Sequence, residues 1–258
     1  MAENYRMKNF ISKRNLISLA GILLIVLLWQ LAAIISDSEQ IVPSPGKTLV
    51  STFNILADPG LWPDIGRTIA RGLIGFIISL LLAFLIGIPA GINKNFFLFI
   101  NPLLVTIRST PVVSIILLAI IWLGNETVPV FIALLTMFPV IALNIIEGIK
   151  NVDQDLIEMG RVYEVKQKHI MKDIYLPSII PFLTGGISNA LGFGWRAIII
   201  GEVLSQPLKG IGTRMQESQS YLLVSELIAW TLIAVVISYL FESLVRRIEK
   251  RIVVWRQD

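Results

Sequence analysis

Few residues in this 258-residue chain have the type and spacing to do covalent chemistry. There is no cysteine, so neither a thiolate nucleophile nor a thiolate metal site can form. His169 is the single histidine and has no second imidazole with which to share a metal; alone in a loop it reads as a solvated or packing residue. No G-x-x-x-x-G-K-[ST] phosphate loop occurs, so ATP is not held by that route. Gly192-Phe193-Gly194-Trp195-Arg196-Ala197 satisfies G-x-G-x-x-A on paper, but it lies within an apolar run and not between a strand and a helix. Close helix packing accounts better for those glycines, as it does for Gly87-Ile88-Pro89-Ala90-Gly91. No catalytic, metal or cofactor site is expected, and neither is an enzyme.

Two charges remain that their surroundings make expensive. Arg108 and Arg196 fall inside apolar runs, where a charge costs at least about 2.5 kcal/mol unless it meets water, a cavity or a partner. Each is a candidate for lining a substrate path, with an interhelical ion pair or snorkelling as the alternative; Arg196 lies deeper. Two cations facing a pore would favour an anionic solute. Glu202, near the end of the fifth run, and Glu226, near the start of the sixth, are candidates for an outer gate or a contact with an external partner, against a plain reading as solvated helix ends.

Positioning these residues is work for membrane helices. The chain is 55% hydrophobic and 16% charged, with a mean hydropathy of +0.75, which is too apolar for an ordinary soluble domain. Six apolar runs, 16–35, 73–92, 103–123, 128–146, 179–204 and 223–244, have the length needed to cross a hydrocarbon core of about 30 Å as helix. The first follows Arg6, Lys8, Lys13 and Arg14 in the manner of a secretory signal, but it is longer than such a segment and five more follow, so it reads as retained. With the N-terminus inside, segments 1–15, 93–97, 148–178 and 245–258 carry four, one, five and five of the 22 lysines and arginines. The outer segments hold Lys47, Arg67, Arg71, Lys209 and Arg214, which gives an N-in, C-in topology with six crossings. Arg67 and Arg71 lie near enough to a helix end to snorkel. The net charge of +4 therefore reflects cations kept on the cytoplasmic side, not nucleic acid. Segment 41–64 holds Pro43, Pro45, Pro59, Gly60 and Pro63, which punctuate it around one short helix near 47–56. The expectation is a single all-α integral membrane domain over residues 1–258, without internal repeats.

The strongest local signal is the loop 148–178. Asp155-Leu156-Ile157-Glu158 has capping-box spacing with an acid in first place, opening a helix through Arg161 and Tyr163 to Val165. A second helical piece places Ile170 and Ile174 on one face among Lys166, Lys168 and Lys172 and ends before Pro177. A polar hairpin dotted with Ile157, Met159, Val162 and Tyr163 is more than a connection requires. It suits docking on a soluble partner, or resting on anionic headgroups through its lysines.

Glu158-Met159-Gly160, three residues, Glu164, nine residues, then Ile174-Tyr175-Leu176-Pro177 resembles the EAA motif of ABC importer permeases: Glu-Ala-Ala, three residues, Gly, nine residues, Ile-x-Leu-Pro. Met159 and Gly160 replace the alanines and Glu164 replaces the glycine. Val42-Pro43-Ser44-Pro45, Arg108-Ser109-Thr110-Pro111, Ile121-Trp122-Leu123-Gly124 and Gly201-Glu202-Val203-Leu204 are similar to the branch serving nitrate, sulfonate, taurine and bicarbonate importers, and permeases for pyrimidine vitamin precursors, riboflavin and other aromatic organics are similar too. The resemblance spans about 15–250. It implies a type I importer permease with six transmembrane helices in a bacterial or archaeal cell (inner) membrane. Cytoplasmic coupling helices would bring Glu158, Met159, Gly160, Arg161, Tyr163 and Glu164 into a groove on an ATPase subunit. It also implies a homodimer, or a pair with a close relative, enclosing a pore, with two ATPase subunits and an extracytoplasmic substrate-binding protein as partners and ATP hydrolysis on those ATPases. The competing reading is an ion-gradient-driven transporter or channel with Arg108 and Arg196 as relay or selectivity groups. Such proteins usually carry intramembrane acids and inverted repeats, and neither is evident here.

Overall fold

The structure, a computed structural model, describes residues 2–36 and 38–252. The side chains of Arg6, Lys8, Lys13 and Arg14, and most of those in 245–258, lie outside the described residues. Every regular element among the described residues is helical: α1 (Ala2–Ser36), α2 (Pro45–Ala57), α3 (Leu61–Ile92), α4 (Lys94–Ser109), α5 (Val112–Leu123), α6 (Val128–Lys150), α7 (Gln154–Val162), α8 (Gln167–Ile170), a π turn at Met171–Tyr175, α9 (Leu176–Ser205), α10 (Ile211–Ser220) and α11 (Val224–Ile252). Five helical stretches are long and apolar enough to cross a membrane, and α4 with α5 makes a sixth only as a broken pair.

That pair corrects the expectation of one straight span over 103–123. The two helices meet at a bend of 96°. Pro111 excludes the residue before it from helical backbone, and Thr110 accordingly sits at φ −73°, ψ 130°. The second apolar run is extended instead of broken, because α3 starts at Leu61, well before residue 73, and continues for 32 residues, about 48 Å.

The chain divides into two compact units. In the first, made of the described residues up to Pro59 together with Glu217–Ile233, α1 presents exposed leucines and isoleucines all round, a surface suited to lipid. The Trp29 indole N–H donates to the Pro43 carbonyl at 3.0 Å, tying α1 to the turn that opens α2. Pro45 leads that helix with its fixed φ, and the Ser44 hydroxyl caps it by accepting from the Lys47 N–H.

The second unit, Gly60–Gln216 with the part of α11 from Ala234, is organised around α6. Ile132, Met137, Ile141, Ile145 and Ile146 of that helix are essentially inaccessible. Its neighbours α3 and α9 reach it by presenting small residues. On α3 the buried positions after Arg71 are Gly75, Ser79, Ala83, Gly87 and Ala90; on α9 they include Gly186, Ala190, Gly194, Ala197 and Gly201. A Cβ at Gly75 would lie 2.6 Å from Ala133 Cβ, one at Gly91 2.7 Å from Ile149 Cβ, and one at Gly186 2.6 Å from Asn144 Cβ. Between helices in lipid such close approach supplies the dispersion contact that a hydrophobic effect cannot. Of the G-x-G pair only Gly194 serves packing, against Met137; Gly192 faces open space.

The loop after α6 differs from its expected outline. Asp153, not Asp155, caps α7, accepting from the Asp155 N–H at 2.9 Å, and the helix stops at Val162. The second piece does not end before Pro177. It passes through the π turn, where the Leu176 N–H reaches back to the Met171 carbonyl, and continues as α9. A wide turn just ahead of a proline accommodates a ring that has no N–H and would clash with a carbonyl one turn earlier.

Gly75→Ala is expected to lower the thermal stability of the detergent-purified protein by about 1–3 kcal/mol, since backbone and Cβ atoms of α6 must yield. Gly66→Ala, on the same helix with nothing near its would-be Cβ, should instead raise it by about 0.5–1 kcal/mol.

Candidate functional site

The most polar buried assembly lies at the end of α6 and α9 remote from the α7 loop. Asp64, Thr68 and Arg71 occupy one face of the first three turns of α3, at spacings of four and three, and all are buried. Glu202, one turn before the end of α9, is fully buried beside them. Its carboxylate accepts from Arg71 Nη1 at 2.7 Å, from Thr68 Oγ1 at 2.9 Å and from the Gly212 N–H at 2.9 Å. The other Arg71 nitrogen, Nη2, donates at 2.6 Å to Glu126 in the turn between α5 and α6, while Nη1 also donates to the Lys209 carbonyl. The loop after α9 is thereby held by its backbone. Leu208 N–H donates to Glu126, Gly210 N–H to Asp64 and Ile211 N–H to Thr68. Arg214 closes the set with a 2.7 Å bond to Asp64. Partial burial pushes the Glu126 carboxyl up, but the Leu208 N–H and the Arg71 guanidinium outweigh it and leave the group below the ordinary glutamate range. Its grip on Leu208 is therefore complete at neutral pH and is lost as pH falls through that lowered value.

Glu202 is thus not a solvated helix end, and it has no surface to offer an external protein; burying it demanded the partners it has. Arg71 does not snorkel, for the same reason. Glu226 is half-buried in the first turn of α11, and Arg67 is exposed.

Arg108 lies in the last turn of α4 and lines a cavity of about 270 Å³ at the α4–α5 break. Thr110 and Thr136 supply further polar groups there, and Ile107, Val112, Ile132 and Phe193 are among the apolar walls. Arg196 does not line this cavity. It is exposed on a strip of α9 that also carries Asn189, Phe193 and Ile200, so Phe193 links that strip to the cavity.

In the α7 loop, Ile157 and Gly160 turn inward, and a Cβ at Gly160 would lie 3.4 Å from Ile170. Glu158, Met159, Arg161, Val162 and Tyr163 are exposed. The helix closes with two bonds, Val165 N–H to the Gly160 carbonyl at 2.9 Å and Glu164 N–H to the Arg161 carbonyl at 3.0 Å, the Schellman pattern, whose turning residue must adopt left-handed backbone. That residue is Glu164, at φ +51°. The position taken by glycine in the EAA pattern is thus one where a side chain costs about 1–2 kcal/mol. Gln206 and Leu222 are the other non-glycine residues at positive φ among the described residues.

The sequence profile of the family described as binding-protein-dependent transport system inner membrane component matches residues 79–254, from the middle of α3 through α11. The chain belongs to this family. Curated relatives agree along almost the whole length. The Bacillus subtilis permease protein SsuC, named for aliphatic sulfonates transport, is 31% identical over 238 residues, covering 91% of this chain and 85% of the relative. The taurine transport system permease protein TauC of Escherichia coli is 22% identical over 91% of this chain and 87% of its own. The bicarbonate transport system permease protein CmpB of Synechococcus elongatus is 26% identical over 83% and 80%. The protein is a multi-pass inner-membrane permease subunit of an ABC importer, dependent on an ATPase and a substrate-binding protein, and is not itself an enzyme.

In this permease the buried cluster was legible only in part. Asp64, Thr68 and Arg71 lie at helical spacing, but polarity placed them outside the apolar run. Nothing in the spacing joins them to Glu126 or to 208–212, more than fifty residues away. Removing Arg71 alone leaves a buried carboxylate without its cation, so Arg71→Ala is expected to cost about 3–5 kcal/mol in thermal unfolding of the purified permease. Arg67→Ala, at an exposed position one turn away, should change stability by less than about 0.5 kcal/mol.

Proposed function

We propose that two copies of this permease enclose a path for a small organic anion, that Arg108 is the anion's contact in that path, and that α7 couples the path to the ATPase. The observation that carries the reading is the cavity at the α4–α5 break. It sets Arg108, Thr110 and Thr136 in a mostly aliphatic wall, a lining that fits a charged head on a short apolar body. The first turn of α5 opens on the same space at Val112, and the positive end of a helix dipole adds to the preference for an anion. Relatives named for aliphatic sulfonates and taurine transport support the same class.

A second copy is supported by Arg196. An arginine on a bare lipid-facing strip would be costly, whereas on a strip facing the equivalent one across an aqueous path it is solvated and adds to the anion field. The face of α7 bearing Met159, Val162 and Tyr163 is apolar and exposed, with Glu158 and Arg161 beside it, the composition of a docking helix. The clustering of cations near this loop supports a cytoplasmic position for it.

With the permease reconstituted in liposomes together with its ATPase and binding protein, Arg108→Ala is expected to reduce uptake of the anion at least tenfold while ATPase assembly is retained. Full uptake would remove Arg108 from the path. The double change Glu158→Ala with Arg161→Ala should leave membrane insertion intact and weaken co-purification of the ATPase; uptake that continues without ATP would overturn the whole reading.

A further inference from the structure

We infer that Glu164 is a recognition residue whose carboxylate pairs with a cation on the ATPase subunit; the inference rests on the reading of α7 as the docking helix. The starting point is a local conflict between residue and backbone. The closure of α7 needs left-handed backbone at residue 164, which glycine adopts freely and glutamate does not, yet glutamate stands there at φ +51°. Among the described residues nothing offsets that strain. The Glu164 side chain is exposed and makes no hydrogen bond or ion pair among the described residues, although Arg161, Lys166 and Lys168 are close in sequence. Gln206 is a useful contrast. It is left-handed too, but it sits in a loop fixed by the buried Arg71, Asp64 and Thr68 and by Glu126, so the fold itself holds it there.

Strain that no internal contact relieves directs attention to an external one. Glu164 stands at the tip of the hairpin beside Val162 and Tyr163, which are 79% and 77% exposed and are the apolar part of the proposed docking face. A carboxylate carried into such a face loses water and requires a cation or N–H donors in return. The exposed charges Glu158, Arg161 and Glu164 follow one another at three-residue intervals, acid, base, acid. An ATPase groove whose edge presents the complementary order would be selected, and one presenting an acid opposite Glu164 would be rejected. The glutamate thus trades loop stability for choice of partner.

The test measures ATPase binding to the permease in nanodiscs at rising salt. Glu164→Gln, which keeps shape and strain but removes charge, is expected to weaken binding about tenfold at low ionic strength and to flatten its salt dependence. Glu164→Gly should weaken it similarly while slowing amide exchange at residues 163–165, so that the loop becomes more ordered as docking becomes poorer. If both variants bind like the parent at every salt concentration while Glu158→Ala with Arg161→Ala still weakens binding, Glu164 has no recognition role and the docking reading stands. If all three bind like the parent, both inferences fall together.

Discussion

A guanidinium held out of water between two carboxylates constrains the whole second unit. Arg71 reaches Glu202 on α9 and Glu126 in the turn leading into α6, so it joins α3, α9 and the entry to α6 itself. A buried pair of this kind contributes little net stability, because desolvation consumes most of the attraction. What it contributes is position. Leaving any member alone is expensive, so α3, α9, the α5–α6 turn and loop 206–212 keep one arrangement at this end.

The same face of α3 explains the rest of the core. From Asp64 through Thr68, Arg71, Gly75, Ser79, Ala83, Gly87 and Ala90, one helical stripe changes from charged to small as it runs toward the α7 loop. The polar part holds by directed bonds and the small part by backbone approach, and both act on α6 or its ends. Along α9 the corresponding stripe meets α6 from the other side. From Gln167 to Ser205 the chain is one helical run of 39 residues, about 58 Å, joining the α7 loop to the Glu202 cluster. Its π turn at Met171–Tyr175 is the place where that rod departs from regular bonding. In the proposed reading, displacement of α7 by the ATPase therefore enters α9 through this turn and meets a fixed point at Glu202, with Phe193 and Arg196 on the moving length between them.

How far the sequence discloses this depends on what each feature rests on. Apolar length alone identifies the spans of α1, α3, α6, α9 and α11, since lipid imposes it on each helix separately. Local rules reach further than run length: Thr110 before Pro111 marks the break that a hydropathy window smooths into one span, and Asp64, Thr68 and Arg71 mark a helical face that a window discards as polar. Asp153 and Asp155 are equally good caps on paper, and only the chain path after α6 selects the first. The burial of Glu202 is of another kind. Its partners come from α3 and from the start of α10, and no pattern within one segment reveals a contact made among three.

The break between α4 and α5 shows how a loss of regularity is put to use. A straight third span would bury every backbone group in its own hydrogen bonds and offer the path only side chains. Bending by 96° at Thr110 leaves the first N–H groups of α5 and the last carbonyls of α4 without helical partners, at membrane depth, where such groups persist only beside protein or water. The cavity lined by Arg108, Thr110 and Thr136 lies at this break. In the proposed reading these freed N–H groups, the dipole of α5 and the guanidinium of Arg108 act on the same anion, none strongly enough to trap it. A carrier that must release its cargo needs attraction divided among several weak donors, and a helix interrupted by proline provides them in a few residues.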